Sequence, residues 1–371
     1  MRTPDGMKMA IHSAPESQLI ADLPENDSRR VTIHSYTPAV REKWDQFVAA
    51  QPGGSPFHLI GWKHVLEKTF GFQAAYSYAE RGGEISAIVP LFRISNWVVG
   101  KALIAAPLGV YGGICAADAE SDEALLEHVK RLAESEQVDY LELRNRSGEL
   151  LDGFHPNDLY VTFTTQLTNS DANMKGLPKG TRYMIRKGEK ANLTSRIGYD
   201  QLGAFYDLFA NSMRRLGTPV FPPQLFKNIA EEFGDLSHLM VVYHGEMPVS
   251  GMLSFLFNGV SMPYYMGASP EAPALAANNF LYWRLMEDAT ERGMKSFDFG
   301  RSKRGTGVYD FKSKWNTKIE PLKYQVYLVR RKTAPNFSPV NPKFQVATRV
   351  WQKLPLWLTR QVGPHVVRWF P

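Results

Sequence analysis

The chain has 371 residues, of which 44% are apolar, 22% charged and 12% aromatic; this is the make-up of a folded globular protein long enough for two cores. Its single cysteine, Cys115, excludes an internal disulfide framework and a cysteine-based zinc site, so a reducing compartment is expected and Cys115 reads as a small core residue. From Pro321 onward there are nine basic residues and no acidic one, against 34 basic and 37 acidic before it, so the formal charge of +6 sits in the tail and the near-neutral body argues against duplex DNA as a partner.

Residues 1–29 carry Pro4, Pro15 and Pro24, no periodicity and no apolar run able to serve as a signal-peptide core, and read as a flexible leader. No later stretch approaches the ~18 consecutive apolar residues of a membrane span, so a cytoplasmic protein is expected.

Two segments then show the same order of elements, which predicts a first domain over 30–165 and a second over 166–332, followed by a tail over 333–371. YSYAERGGEISAIVPLFR (76–93) reads as two strands around Gly82-Gly83, and LMVVYHGEMPVSGMLSFLF (239–257) repeats the pattern around Gly245. Third strands are expected in ALIAAPLGVYGG (102–113) and VSMPYYMGAS (260–269). Each leads to a helix, marked by Leu125, Val129 and Leu132 in one half and by Tyr282, Leu285, Met286 and Ala289 in the other. Short strands follow in VDYLELRNR (138–146) and KSFDFGRS (295–302). The order strand, turn, strand, strand, helix, strand is that of the acetyltransferase fold, so the fold class expected is α+β, with two tandem GNAT-like domains of mixed central sheets flanked by helices.

Between the halves, LPKGTRYMIRKGEKANL (177–193) is a helix opened by Pro178 with Arg182, Arg186 and Lys190 on one face, either a solvated linker or a grip for phosphate. After a last strand in LKYQVYLVRR (322–331), Pro335, Pro339 and Pro342 lead into an amphipathic basic tail. There Phe344, Ala347, Val350, Trp351 and Leu354 oppose Lys343, Arg349 and Lys353, with Trp357 and Trp369 beyond. Such a segment suits either the headgroup layer of an inner membrane or packing over a domain; Pro355 and Pro364 interrupt any long interfacial helix. The nine histidines include no pair at helical spacing, His58 with His64 and His238 with His244 both lying six apart, so no metal site is expected.

The segment SFDFGRSKRGTGVYDFKSKWN (296–316) resembles the closing motif of the FemAB family: an aromatic-Asx-Phe-Gly strand end, a Gly-rich loop and a Phe-Lys pair. Together with LGTPVFPPQLF (216–226), the stretch 264–283 and the basic helix, it is similar to FemAB-like proteins associated with exosortase and PEP-CTERM exopolysaccharide systems. The resemblance spans about residues 30–330. It implies tandem acetyltransferase-type domains and transfer of an acyl or aminoacyl group to an amine on a cell-envelope or exopolysaccharide precursor, peptidoglycan-type or lipid-linked. No tightly bound cofactor is implied, and the donor is aminoacyl-tRNA or acyl-CoA.

Direct attack of an amine on a carbonyl requires a cradle for the donor, a slot for the acceptor, a route for the proton and hydrogen-bond donors facing the oxyanion. It requires no nucleophile elbow, zinc-protease pair or Walker loop, and the chain has none of the three. For the donor cradle the candidates are Gly267, Ser269, Asn278 and Asn279, where the third strand meets its helix, although the asparagines equally suit helix caps. The loop 301–307 adds Arg301, Lys303, Arg304, Gly305 and Gly307, whose bare backbone can approach an anion if the loop is not simply a surface turn. Lys312 aligns with the lysine of the family's Phe-Lys pair and is expected to meet donor or transition-state charge. Asp298 is either a general base or a salt-bridge partner of Arg301. One of Tyr264 and Tyr265 should face the cleft, since successive strand residues alternate; Tyr265 is placed with the catalytic group, and Tyr264, Phe311, Arg182 and Arg186 with the acceptor. The donor segment lacks the compact Gly-rich pyrophosphate loop of an ordinary coenzyme-A-dependent enzyme, which counts toward another carrier. An acyl-CoA-dependent N-acyltransferase acting on an amino sugar, and a non-catalytic polysaccharide-binding protein, stand as the alternatives.

Overall fold

The computed structural model describes residues 30–334 and 342–371. The leader 1–29 and Pro335 and Pro339 lie outside the described residues, as do the side chains of Lys343 and Phe344.

Both halves follow the expected order. In the first, Ser77–Arg81 and Glu84–Val89 form a hairpin, and the chain continues past Pro90 as Leu91–Asn96 into a second sheet beside Gly100–Ala105. Pro90 has no N–H to give a ladder, which explains the break. The helix Ala119–Ser135 starts at Asp118, whose carboxylate accepts the Ser121 N–H at 2.9 Å, and buries Leu125, Val129 and Ala133 along one stripe. It delivers the chain to Tyr140–Asn145, which pairs in parallel with Gly100–Ala105, Leu103 opposite Leu141. The second half repeats this: Ser237–His244, Met247–Phe257 and Val260–Ala268, then the helix Ala277–Glu291, then Ser296–Asp298 parallel to the strand before that helix. A parallel pair needs a crossover, and here the helix supplies it in both copies.

Two strands cross between the halves. Tyr160–Gln166 closes the first half in sequence but pairs with Ser296–Asp298, Thr164 opposite Asp298. Lys323–Leu328 closes the second half in sequence but pairs with Tyr140–Asn145, Tyr324 opposite Arg144. Each sheet is therefore completed by a strand from beyond the 165/166 division. Of three buried clusters, one belongs to each half, and the largest spans both, with Phe57 and Trp62 of the first against Phe205, Phe226 and Phe255 of the second.

The expected third strand of the first half ends at Ala105 and does not run on to Gly113. Ala106 and Leu108 have left-handed φ of 42° and 60°, and Pro107 between them cannot donate to a ladder, so 106–113 is a loop. Arg144, buried beside Glu142 at 2.7 Å, holds that loop by donating to the Ala106 and Gly109 carbonyls.

The tail forms two helices, Pro342–Lys353 and Leu356–Val367, both packed on Leu202–Leu216. Arg360 pairs with Asp207 at 2.6 Å, Trp369 meets Trp97 edge-on, and Gly363 sits where any Cβ would lie 2.8 Å from the Val220 side chain. No described helix is long and apolar enough to cross a membrane.

Candidate active site

The parallel pairing of Val260–Ala268 with Ser296–Asp298 covers only Val260 opposite Ser296 and Ser261 opposite Phe297, after which the strands part. Gly300 turns the second strand away at a φ of 70°, a conformation that favours glycine. Into this gap opens a cavity of about 520 Å³ between the halves. Its walls are Leu108 and Val110 from the first half, 216–219 and Phe221, Pro263 to Tyr265, Phe299 to Arg301, Lys312, and the tail residues Ala347, Thr348, Trp351, Val366 and Val367 with Phe370 and Pro371.

Tyr264 and Tyr265 both line it, a correction to the expectation that only one would. Opposite them the register slips: Leu253 faces Tyr265 while Ser254 faces Pro263, so Tyr264 is an extra residue in a β-bulge. The bulge breaks the alternation and aims two successive side chains at one space. Tyr264 gives its hydroxyl to the Leu108 carbonyl across the seam. Tyr265, only 7% exposed and packed edge-on against Phe209, Phe221 and Phe226, has a hydroxyl with no hydrogen-bond partner among the described residues.

Lys312, 5% exposed, stands on the short helix Gly307–Ser313, whose cap Thr306 accepts the Tyr309 N–H. Its ammonium donates to the carbonyls of Gly300 at 3.0 Å and Arg301 at 3.2 Å. Burial pushes its pKa down to about 8; the Asp298 charge works against that shift and the Arg301 charge adds to it. Arg301 lies over the rings of Tyr160 at 4.9 Å and Tyr324 at 5.9 Å, with no carboxylate within ion-pair distance among the described residues.

Asp298 is fully buried and does not line the cavity. Its Oδ1 accepts from Thr162 at 2.9 Å and from the Gly300 N–H at 2.8 Å, and its Oδ2 from Tyr111 at 2.7 Å. The cation beside it is Arg146, at 3.5 Å, and not Arg301 as one sequence alternative has it. Tyr111 and the carboxylate share a buried site, so the phenol is held well above its usual pKa, first by burial and then by the Asp298 charge, and it stays a donor.

The remaining expected site residues are not among those lining the cavity. Gly267 is where a Cβ would come within 2.3 Å of the Phe209 backbone nitrogen, so it serves close packing. Asn278 accepts the Ser250 hydroxyl at 2.9 Å, Asn279 lies in the first turn of Ala277–Glu291, and the Ser269 carbonyl accepts the Ala272 N–H at the start of the short helix Ala272–Leu275. Lys303 pairs opposite Tyr160, Arg304 and Gly305 lie on the exposed turn beyond it, and Gly307 opens the short helix that carries Lys312. Phe311 packs against Tyr282 and Trp315 in the core of the second half. The basic helix Lys179–Lys190 packs on Ala277–Glu291, with Gly188 against Phe280; Arg182 donates to the Lys175 carbonyl and Arg186 is exposed. Residues not anticipated as parts of the site are Leu108, Val110, Tyr111, Arg146, Thr162 and the tail helices. The glycine-rich run GVYGG (109–113) was their one visible signal.

Cys115 is buried and its thiol pushed up to about 12, chiefly by burial, which leaves it an inert core residue. Among the described residues no group of three or more His, Cys, Asp and Glu side chains is placed to hold a metal ion.

Residues 178–313 match a family model described as an acetyltransferase (GNAT) domain. No curated protein matches the chain. Among solved structures it is similar to FemX, at 16% identity and a TM-score of 0.63 over 85% of this chain and 100% of that one. It is similar too to the C-terminal DUF2156 domain of a candidate lysylphosphatidylglycerol synthetase from Agrobacterium fabrum, at 15% identity and a TM-score of 0.57 over 87% and 96%. A third is L-PGS from Bacillus licheniformis, at 14% and 0.53 over 86% and 99%. At these identities the likeness establishes the fold, mixed sheets flanked by helices in the α+β class.

An ammonium has three donors and a neutral amine two. With two N–H groups of Lys312 already on the Gly300 and Arg301 carbonyls, only the cation has one left for a ligand. With acceptor concentration expressed as its unprotonated amine, kcat/KM for transfer should therefore fall as pH rises through about 8. A profile flat or rising between pH 7 and 9 would show that Lys312 does not act as a cation.

Proposed function

We propose that the chain transfers an acyl or aminoacyl group from an activated carrier to an amine on a saccharide or peptide precursor of the cell envelope or of an exopolysaccharide, by direct attack and without a covalent enzyme intermediate. The observation that carries this reading is the buried Lys312 ammonium at the parting of the two strands, with Arg301 and the Tyr265 hydroxyl, which has no partner among the described residues, on the same cavity wall. In the step proposed, the neutral amine attacks the carbonyl carbon and a C–N bond forms. Negative charge collects on the carbonyl oxygen, where Lys312 and Tyr265 are the donors. The bond to the carrier's oxygen or sulfur then breaks, and the amine's proton leaves with that group. Asp298, saturated by three donors away from the cavity, acts by positioning the Gly300 turn and not as the base. The match of 178–313 to an acetyltransferase domain supports acyl-CoA as donor, and the fold shared with FemX and L-PGS supports an aminoacyl carrier.

The test is to incubate the purified full chain with labelled aminoacyl-tRNA or with a set of acyl-CoAs, together with a membrane extract from a polysaccharide-producing strain. Label should appear in an amide product in one arm, and Lys312→Ala should lower its rate about a hundredfold or more, the usual cost of a lost oxyanion donor. Absence of product in both arms, or a Lys312→Ala rate equal to that of the native chain, would contradict the reading.

The tail supports peripheral contact with an anionic membrane face, where a lipid-linked acceptor would be met. Although its helices pack on the body, Val346, Val350 and Trp357 remain 67%, 55% and 63% exposed, beside the exposed Arg349 and Lys353. The chain should sediment with vesicles containing phosphatidylglycerol, less so in high salt, and Val350→Asp with Trp357→Ser should release it. Equal sedimentation of native and variant chains would remove the membrane from the account.

A further inference from the structure

The cavity divides by chemistry. Arg301, Lys312 and the Tyr265 hydroxyl belong to the two parted strands and the helix beside them. Much of the remaining wall is hydrocarbon: Leu108, Val110, Phe221, Val366, Val367 and Phe370 contribute no side-chain hydrogen-bonding group. The other polar side chains on the wall are few, and Tyr264 already gives its hydroxyl to Leu108. A sugar or nucleotide buried here would find few side-chain partners for its hydroxyls along this wall, at a cost for every group left without one.

Arg301 and Tyr265 at the parted strands call for a polar atom, and on the tail side the buried Trp351 Nε1–H, also without a partner among the described residues, is the one further donor left unmatched. The half-buried Arg301 guanidinium rests on tyrosine rings, reaches the Tyr324 hydroxyl at 3.5 Å and has no carboxylate partner among the described residues, which leaves its charge available to an anionic group. The Tyr265 hydroxyl, on a side chain more than nine-tenths buried, also has no partner among them. About 520 Å³ lies within the range of roughly 300–1,000 Å³ for small-molecule sites.

We infer that the cavity takes the aliphatic chain of an amphiphilic substrate, with its carbonyl or anionic head against Arg301, Lys312 and Tyr265 and its hydrocarbon along the wall completed by the C-terminal helices. This rests on the active-site reading above and adds the substrate class. The same chemistry has two sources, a fatty acyl group arriving on its donor or the lipid part of the acceptor. The tail then has a role in the site itself, since without Trp351, Val367 and Phe370 one side of the chain would face water.

The test uses the full-length protein and three series of probes of increasing chain length: free alkanoates from hexanoate to dodecanoate, the corresponding acyl-CoAs, and alkyl phosphates. Binding is followed by calorimetry. Affinity should tighten about fourfold per methylene until the cavity is filled, as expected for about 0.8 kcal/mol per buried methylene. Ala347→Trp, at an exposed helix position on the cavity rim, should weaken dodecanoate at least tenfold while hexanoate affinity and the thermal midpoint stay unchanged. Preferential gain in the acyl-CoA series assigns the chain to the donor, and gain in the alkyl phosphate series assigns it to a lipid-borne acceptor. Affinity independent of chain length in all three series, or an Ala347→Trp variant binding dodecanoate like the native chain, overturns the inference. Lys312-dependent transfer of short acyl groups with no chain-length effect leaves the transferase reading standing and the aliphatic site refuted; chain-dependent binding without any transfer does the reverse.

Discussion

The buried carboxylate of Asp298 is the point on which the rest of the site depends. It receives Tyr111 from the first half, Thr162 from the crossing strand and the Gly300 N–H from the strand end that carries it, with Arg146 as its cation. An ion out of water is tolerated only when its lone pairs are met, and here three donors and a neighbouring charge meet them. Because those donors come from three separate segments, satisfying one carboxylate fixes the seam between the halves. The same bond to Gly300 shapes the turn whose carbonyls hold Lys312, so the charge that locks the fold also determines where the site's ammonium stands. Asp298 thereby moderates the loss of basicity that burial imposes on Lys312.

Strand exchange works toward the same end. Tyr160–Gln166 and Lys323–Leu328 each complete a sheet begun on the other side of the chain, and the central core draws aromatic side chains from both halves. A cavity at such a seam inherits walls from segments distant in sequence: a left-handed loop held by Arg144, a bulged strand, a glycine turn and two C-terminal helices. Arg144 joins the first and last of these, donating to the Ala106 and Gly109 carbonyls and to that of Pro371. None of these segments builds the site alone, and each is placed by hydrogen bonds rather than by apolar packing alone.

That origin explains what could be read in advance. The duplicated order of hairpin, strand, helix and strand was visible because it rests on local periodicity and turn residues, from Gly82-Gly83 to Gly245 and along Leu125 and Val129. Lys312 and Arg301 were visible because they sit in one contiguous motif, FGRSKRGTGVYDFK. The placing of both Tyr264 and Tyr265 on the cavity wall was not, since it comes from a one-residue slip against Leu253 and Ser254 that strict alternation cannot express. Nor were Tyr111, Thr162 and Arg146 legible, because only long-range pairing brings them to Asp298. Composition allowed the tail to be either membrane-facing or packed. In the fold it lines the cavity with Ala347 and Trp351 and leaves Val346 and Val350 exposed, one helix serving two surroundings.

The most direct measurement of the coupling between Asp298 and Lys312 is the titration of the Lys312 side chain by NMR in the native chain and in Asp298→Asn. The substitution keeps the shape of the carboxylate and removes its charge. If the carboxylate sustains the ammonium, the Lys312 pKa should drop from about 8 in Asp298→Asn, and the alkaline limb of the transfer rate should move to lower pH with it. An unchanged Lys312 titration in the variant would contradict the account, for it would mean that the buried charge holding the two halves together has no hold on the group proposed to do the chemistry.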